Sequence, residues 1–242
     1  IMEKKLGAVK RFFEEFKTDD EFKADVHRAY QKFETPDAVE LKTFGDVCYM
    51  ELYHGPTCAF KDFALSVLPY EIRAAKRNLG ITHDYAILTA TSGDTGKAAL
   101  DGFADVENTK ILVFYPVDGV SPMQKLQMTT QTGSNVAVCA IEGNFDDAQT
   151  GVKKIFTNDE MRNLLKENNM EFSSANSINF GRLVPQIVYY VSAYCDLLKE
   201  GRLADGDKFN VVVPTGNFGN ILAAYYAKQM GIPIGKFICA SN

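Results

Sequence analysis

Apolar residues recur along this chain with two periods, and the switches between them predict most of its elements. Glu3 to Phe16 and Asp19 to Phe33 are charged runs with apolar positions such as Phe12, Phe13 and Phe16 at helical spacing, which predicts two packing helices. Leu41 to Phe44 and Val47 to Leu52 flank Gly45-Asp46, the pattern of a hairpin between short strands. Beyond Lys61 the two periods alternate. Helices are predicted over Phe63 to Asn78, Thr95 to Phe103, Asp146 to Phe156, Asp159 to Asn168 and Leu183 to Leu198. Ser121-Pro122, an N-cap followed by proline, opens another helix that runs to about Thr130. Strands are predicted at Tyr85 to Ala90, Ile111 to Tyr115, Val136 to Ile141, Phe209 to Val213 and Phe237 to Ala240, with a further helix from Ile221 between the last two. This alternation implies an α/β fold with a mostly parallel sheet and helices on both faces.

Composition narrows the function classes. The 242 residues are 46% hydrophobic and 24% charged, enough apolar content for a proper core in one large domain or two small ones. A net charge of −5 without a basic run argues against nucleic acid or an anionic membrane surface as the main partner. Cys48, Cys58, Cys139, Cys195 and Cys239 are scattered and never in CxxC spacing, so reduced and mostly buried thiols are expected rather than a disulfide framework or a zinc site. No apolar stretch reaches the ~20 residues of a membrane span and the start lacks a signal-peptide pattern, so the cytoplasm is expected. The chain opens at Ile1-Met2 and stops at Asn242 straight after a strand-like run, as expected of a fragment.

Two loops, at 91–96 and 214–220, place polar donors where a strand-like run meets a helix-like run, a common location for phosphate and carboxylate sites, and a stretch ahead of them supplies a lysine. Tyr53 to Asp62 carries Lys61 just after the Gly55-Pro56 turn, where a partly desolvated amine would lose protons easily and attack an aldehyde. Gly216-Asn217-Phe218-Gly219-Asn220 sets two glycines three apart ahead of a helix, a nest for a dianionic phosphate. Ser92-Gly93-Asp94-Thr95-Gly96 offers hydroxyls and N–H groups suited to a substrate carboxylate or a phenolic oxygen. A fourth cluster, Asn176 to Arg182, reads as an oxyanion clamp. Each has a plainer alternative: a surface lysine, a strand-to-helix turn, a helix cap and a polar loop. Taken together they suggest an enzyme that uses pyridoxal phosphate. His27 and His83 read as solvated, and His54 as structural or lining the site. There is no nucleophilic triad and no metal-ligand spacing.

The order and wording of these motifs resemble the threonine synthase family of the longer bacterial and fungal type, within the tryptophan-synthase-β-like (fold type II) pyridoxal-phosphate enzymes. The resemblance is carried by Glu51 to Ala64 (ELYHGPTCAFKDFA), Thr89 to Ala99 (TATSGDTGKAA), Val120 to Thr130 (VSPMQKLQMTT), Ile141 to Asp147 (IEGNFDD), Asn176 to Tyr190 and Pro214 to Met230 (PTGNFGNILAAYYAKQM). It implies two lobes, each with a mostly parallel sheet flanked by helices, after a helical N-terminal segment. The implied boundaries are 1–45 for that segment, 46–80 with 181–242 for an incomplete larger cofactor-binding lobe, and 81–180 for the smaller lobe.

It also implies roles. Lys61 would form the Schiff base with pyridoxal 5'-phosphate and then shuttle protons, while Gly216, Asn217, Phe218, Gly219 and Asn220 would bind the cofactor phosphate. Ser92, Asp94 and Thr95 would contact the cofactor ring oxygen or the substrate, and Asn176, Ser177 and Arg182 would grip the substrate phosphate. The implied reaction is that of a carbon–oxygen lyase acting on phosphates, converting O-phospho-L-homoserine and water to L-threonine and phosphate in threonine biosynthesis. The protein would work as a monomer or homodimer on a small molecule, without nucleic acid, membrane or metal. The family chain is longer at both ends, and the hydroxyl residue it places near the pyridine nitrogen has no counterpart here. Two alternatives remain: a phospholyase that releases phosphate, ammonia and a 2-keto acid, and a non-catalytic truncated fragment.

Overall fold

The computed structural model describes residues 17–241, so the helix expected over Glu3 to Phe16 lies outside the described part. Helix α1 (Asp19–Tyr30) begins at Thr18, whose hydroxyl and the Glu21 carboxylate close a capping box. Its first turn is acidic and its last turn carries His27 and Arg28, both favourable to the helix dipole. Strands β1 (Glu40–Phe44) and β2 (Val47–Glu51) then form the expected antiparallel hairpin, with Phe44 opposite Val47 and Gly45 in the left-handed conformation the turn needs.

The single helix expected over Phe63 to Asn78 is two helices, α2 (Asp62–Leu65) and α3 (Leu68–Leu79). Pro69 lies in the first turn of α3. Without an N–H it cannot donate to a preceding turn, so the chain breaks and starts again there. Lys17 ties α1 to α3: its buried ammonium is 2.8 Å from Asp25 and 2.9 Å from Glu71.

The main sheet comes next. Strands β3 (Asp84–Ala90) and β4 (Thr109–Pro116) are linked by helix α4 (Asp94–Phe103). Helix α5 (Pro122–Thr129) leads to β5 (Val136–Ile141). Helices α6 (Phe145–Thr157) and α7 (Asp159–Glu167) lead to β6 (Met170–Ser174). The four strands pair in the order β5-β4-β3-β6, all parallel. The fourth strand was not legible in the pattern, because Met-Glu-Phe-Ser-Ser shows neither an apolar run nor a β-branched residue. Pairing with β3, from Asp84–Met170 to Leu88–Ser174, makes it a strand. One face of this sheet packs Leu65, Leu68, Ile87, Leu100, Phe103, Ile111 and Met128 into a core. The other packs Leu88 and Ala90 against Ala148 and Val152 of α6.

A second parallel pair, β7 (Phe209–Pro214) and β8 (Ile234–Ala240), is joined by α9 (Gly219–Gln229) and packs with the long helix α8 (Phe180–Lys199). Its core contains Tyr189, Tyr190, Tyr194, Ala223, Ala224, Ala227, Ile232 and Ile234, with Phe63 of α2 reaching in. Helix α2 therefore touches both cores. The result is an α/β fold of two parallel sheets flanked by helices, as expected.

The thiols differ from expectation. All five are free, but only Cys195 is buried; Cys58, Cys139 and Cys239 are exposed and Cys48 is intermediate. Strand and turn positions that alternate with apolar neighbours put a small side chain on either face, and sequence did not show which. No helix among the described residues is long and apolar enough to cross a membrane.

Helices α2 and α4 approach so closely that a side chain on Gly102 would overlap the Leu65 carbonyl oxygen. Gly102→Ala is expected to lower stability by about 1–3 kcal/mol, read from the urea midpoint at unchanged slope.

Candidate active site

The segment that carries Lys61 is shaped by its neighbour. The Asp62 carboxylate accepts from the Thr57 N–H at 2.9 Å and from the Thr57 hydroxyl at 2.5 Å, closing residues 57–62 into a tight turn. Gly55 must be glycine, since a Cβ there would stand 2.5 Å from the Asp62 carboxylate oxygen. Burial raises the Asp62 carboxyl above its ordinary range, against these hydrogen bonds. Lys61 is thus delivered at the start of α2, its side chain 16% exposed and Nζ 3.7 Å from Asp94 Oδ2. Burial pushes the Lys61 ammonium down from 10.5 to about 8; Asp94 opposes this, and Arg182 and Lys97 add to it.

Asp94 arrives from the end of β3. Thr91 Oγ1 accepts from the N–H groups of Gly93 at 2.9 Å and Gly96 at 2.8 Å, which turns the chain into α4. Gly93 has φ +141 and no room for a side chain because Gln124 stands against it. Gln124, itself part of the capping box that starts α5, donates through Nε2 to Asp94 Oδ1 at 2.6 Å. Thr95 is buried in the first turn of α4, and Ser92 is exposed at its mouth.

The glycine loop lies at the start of α9. Phe218 is left-handed (φ 58), and Asn220 turns back on its own loop, donating to the Pro214 carbonyl at 3.0 Å. The N–H groups of Gly216, Asn217, Phe218 and Gly219 find no acceptor among the described residues. Gly216 has open space where a Cβ would be. Unbonded donors at a helix start are the kind of group that suits an anion. Beside them is a cavity of about 380 Å³ lined by Ser177, Asn217, Phe218, Leu222 and Tyr225, among others.

The segment from 174 to 182 links the two regions. The Asn176 side chain spans the end of β3, with its amide donating to Ala90 O at 2.9 Å and accepting from Ala90 N at 3.3 Å. Ser177 faces Gly219, its Oγ 3.4 Å from where a Cβ would sit. Arg182 is 2% exposed and donates to Ala175 O at 2.9 Å, while its buried Nε has no hydrogen-bond partner among the described residues. Burial pushes the guanidinium down to about 10.

Of the candidate residues, Asp94 and the charge of Arg182 act on Lys61, with Thr95 beside Asp94 in the first turn of α4; Ser177 lies with Gly216 to Asn220, while Ser92 is exposed ahead of α4 and Asn176 bonds to Ala90. No hydrogen bond or ion pair among the described residues joins Lys61 to the glycine loop. Asp62, Thr91, Lys97 and Gln124 support Lys61 and Asp94 and were not anticipated. All four lie inside stretches that carry the resemblance, and Ser121 with Gln124 is a capping-box pattern, but nothing local in them assigns a place beside Lys61.

Elsewhere, His83 is partly buried with Nε2 2.9 Å from Glu171, rather than solvated. His54 lies 3.0 Å from Glu51. Glu40, Glu51 and His54 bring ligand atoms within 4.8 Å of one another. Lys42 already pairs with Glu40 there.

Comparison with known proteins decides the family. Residues 37–242 match the family model for pyridoxal-phosphate dependent enzymes. The chain belongs to this family. It is similar to human threonine synthase-like 1, 46% identical over 204 residues that are 82% of this chain and 27% of that protein. It is similar to threonine synthase of Schizosaccharomyces pombe, 40% identical over 92% of this chain and 43% of that one. Among solved structures, the PLP-bound threonine synthase from Brucella melitensis superposes with a TM-score of 0.84 at 38% identity, covering 99% of this chain and 49% of that one. The chain thus spans about half or less of the length of these relatives. The described residues fit the family's cofactor: free N–H groups at the α9 start suit its phosphate, and a buried lysine amine suits its aldehyde.

A lysine driven down from 10.5 to about 8 costs the native state about 3 kcal/mol. The sign follows from proton counts: between these values the unfolded chain binds more protons, so the cost is complete below about pH 8 and fades as pH rises toward 10.5. Lys61→Met is expected to raise the stability of the cofactor-free protein at pH 7 by up to about 3 kcal/mol, with a smaller gain at pH 9.5, by urea unfolding at each pH.

Proposed function

We propose that this chain carries the catalytic lysine and phosphate cradle of a threonine synthase, which converts O-phospho-L-homoserine and water to L-threonine and phosphate. The observation that carries the reading is Lys61, an amine on a side chain only 16% exposed and 3.7 Å from Asp94, in a chain that matches threonine synthase over nine-tenths of its length. In this reading residues 46–80 and 181–242 form the larger lobe and 81–180 the smaller, with 1–45 ahead of them.

Lys61 would hold the cofactor through Nζ, and the N–H groups of Gly216, Asn217, Phe218 and Gly219 would take its phosphate, with Asn220 fixing the loop. When bound, pyridoxal phosphate supplies an aldehyde for the substrate amine and an electron sink for the bond broken next to it.

Everything else is the work of this chain. Lys61, with a proton affinity near the working pH, can both take and return a proton at Nζ. Its burial keeps bulk water from competing for that proton. Asp94 holds the ammonium form in place when the proton is on Nζ. Ser92 and Thr95, at the positive end of α4, offer hydroxyls to the substrate or the ring oxygen. Ser177 and Arg182 bring a hydroxyl and a positive charge for an anionic substrate group, and Asn176 shapes their loop from the end of β3.

Treatment with pyridoxal phosphate and then borohydride is expected to label Lys61, as mapped by peptide mass, and Lys61→Ala to lose both label and visible absorbance. O-phospho-L-homoserine should give phosphate and L-threonine in equal amounts. Phosphate with ammonia and a 2-keto acid would make the protein a phospholyase instead, and a wild-type protein with no label on Lys61 would remove the reading.

A further inference from the structure

Lys97 lies inside the TATSGDTGKAA stretch but has no role in the reaction above, yet its side chain is more completely buried than that of Lys61. It stands in the first turn of α4 with its side chain 8% exposed, next to Gly96, Ala98 and Ala99, which are all buried. An ammonium in such a place costs several kcal/mol unless it is paired. Its Nζ donates to the Thr57 carbonyl oxygen at 2.6 Å and lies 3.7 Å from Asp94 Oδ1.

Both contacts lead to Lys61. Thr57 belongs to the turn that delivers Lys61, and the other oxygen of Asp94, Oδ2, is the one 3.7 Å from Lys61 Nζ. Gln124 shares Asp94 Oδ1 with Lys97, at 2.6 Å. Asp94 is held from one side by an amide and a buried ammonium, and presents its remaining oxygen to Lys61.

We propose that Lys97 is a positioning residue for Lys61: it tethers the Lys61 turn through Thr57 and, by its charge beside Asp94, keeps Lys61 ready to give up its proton. The proposal deepens the reading of Lys61 as the aldehyde-binding amine and rests on it. The charged groups facing Lys61 are Asp94 and Lys97 from α4 and Arg182 from α8, while Asp62 of α2 is turned to Thr57. Removing the charge of Lys97 lifts a repulsion on the Lys61 ammonium and leaves Asp94 uncompensated. Both changes favour the protonated amine.

The test is trace labelling with acetic anhydride, in protein cleared of bound carbonyl compounds, with the Lys61 peptide quantified by mass from pH 6 to 10. Wild type should show a midpoint near 8. Lys97→Gln can still donate to Thr57 but carries no charge; its midpoint should rise by about 0.5–1 pH unit, so that Lys61 reacts about 3- to 10-fold more slowly at pH 7. Lys97→Arg should keep the wild-type midpoint. An unchanged midpoint in Lys97→Gln overturns the proposal, even with a lowered melting temperature, because a mere tether would do that. If Lys97→Gln lacks a cooperative unfolding transition, Lys97→Ser serves, with the same expected rise and the same overturning result. Acetic anhydride needs no cofactor, so failure here is separate from failure of pyridoxal phosphate to label Lys61.

Discussion

The Lys61 ammonium is held away from water by a turn whose own polar groups close on the Asp62 carboxylate, and the arrangement around it follows from that burial. A buried amine must be compensated or must shed its proton. Asp94 does the first in part, at 3.7 Å, and the displacement to about 8 records the second. An amine shifted in this direction is neutral in part at ordinary pH, as the proposed chemistry requires. A closer, fully desolvated carboxylate would have stabilised the charge and quenched the nucleophile.

The sheet explains why these groups meet. In a parallel sheet every strand points the same way, so the loops after β3, β4 and β6 open at one end. The loop after β3 supplies Thr91 and leads into the first turn of α4, which supplies Asp94 and Lys97, and the loop after β6 supplies Asn176. Asn176 bonds to both backbone groups of Ala90, so the two loops are fixed to each other rather than merely adjacent. The second parallel pair repeats the device on a smaller scale, with β7 running into the free N–H groups ahead of α9. Helix α2, which follows Lys61 directly, reaches both cores through Leu65 and Phe63. Lys61 is therefore mounted between the two cores.

Much of this was legible from residue order. Capping patterns marked the start of α5, and Gly45-Asp46 marked the hairpin. Alternating runs placed seven strands, the two of the hairpin among them, within a residue or two except at the start of β8. The errors have physical causes. The break between α2 and α3 turns on Pro69, whose missing N–H matters more than the continuous apolar spacing around it. Strand β6 is polar and short, and becomes a strand only because β3 offers it an edge. Exposed Cys58, Cys139 and Cys239 show that thiol burial is decided by which face a residue meets.

The sequence by itself determined the motifs, the α/β alternation and the position of Lys61 after a tight turn, because glycine spacing, caps and periodicity are local properties of the chain. Only the tertiary structure decided how that amine behaves. The burial of Lys61, its separation from Asp94, the use of Asp62 to close the turn and the presence of Lys97 depend on groups from 5 to more than 100 positions apart along the chain. Desolvation and charge pairing are set by what surrounds a group in space, and no local pattern carries that information.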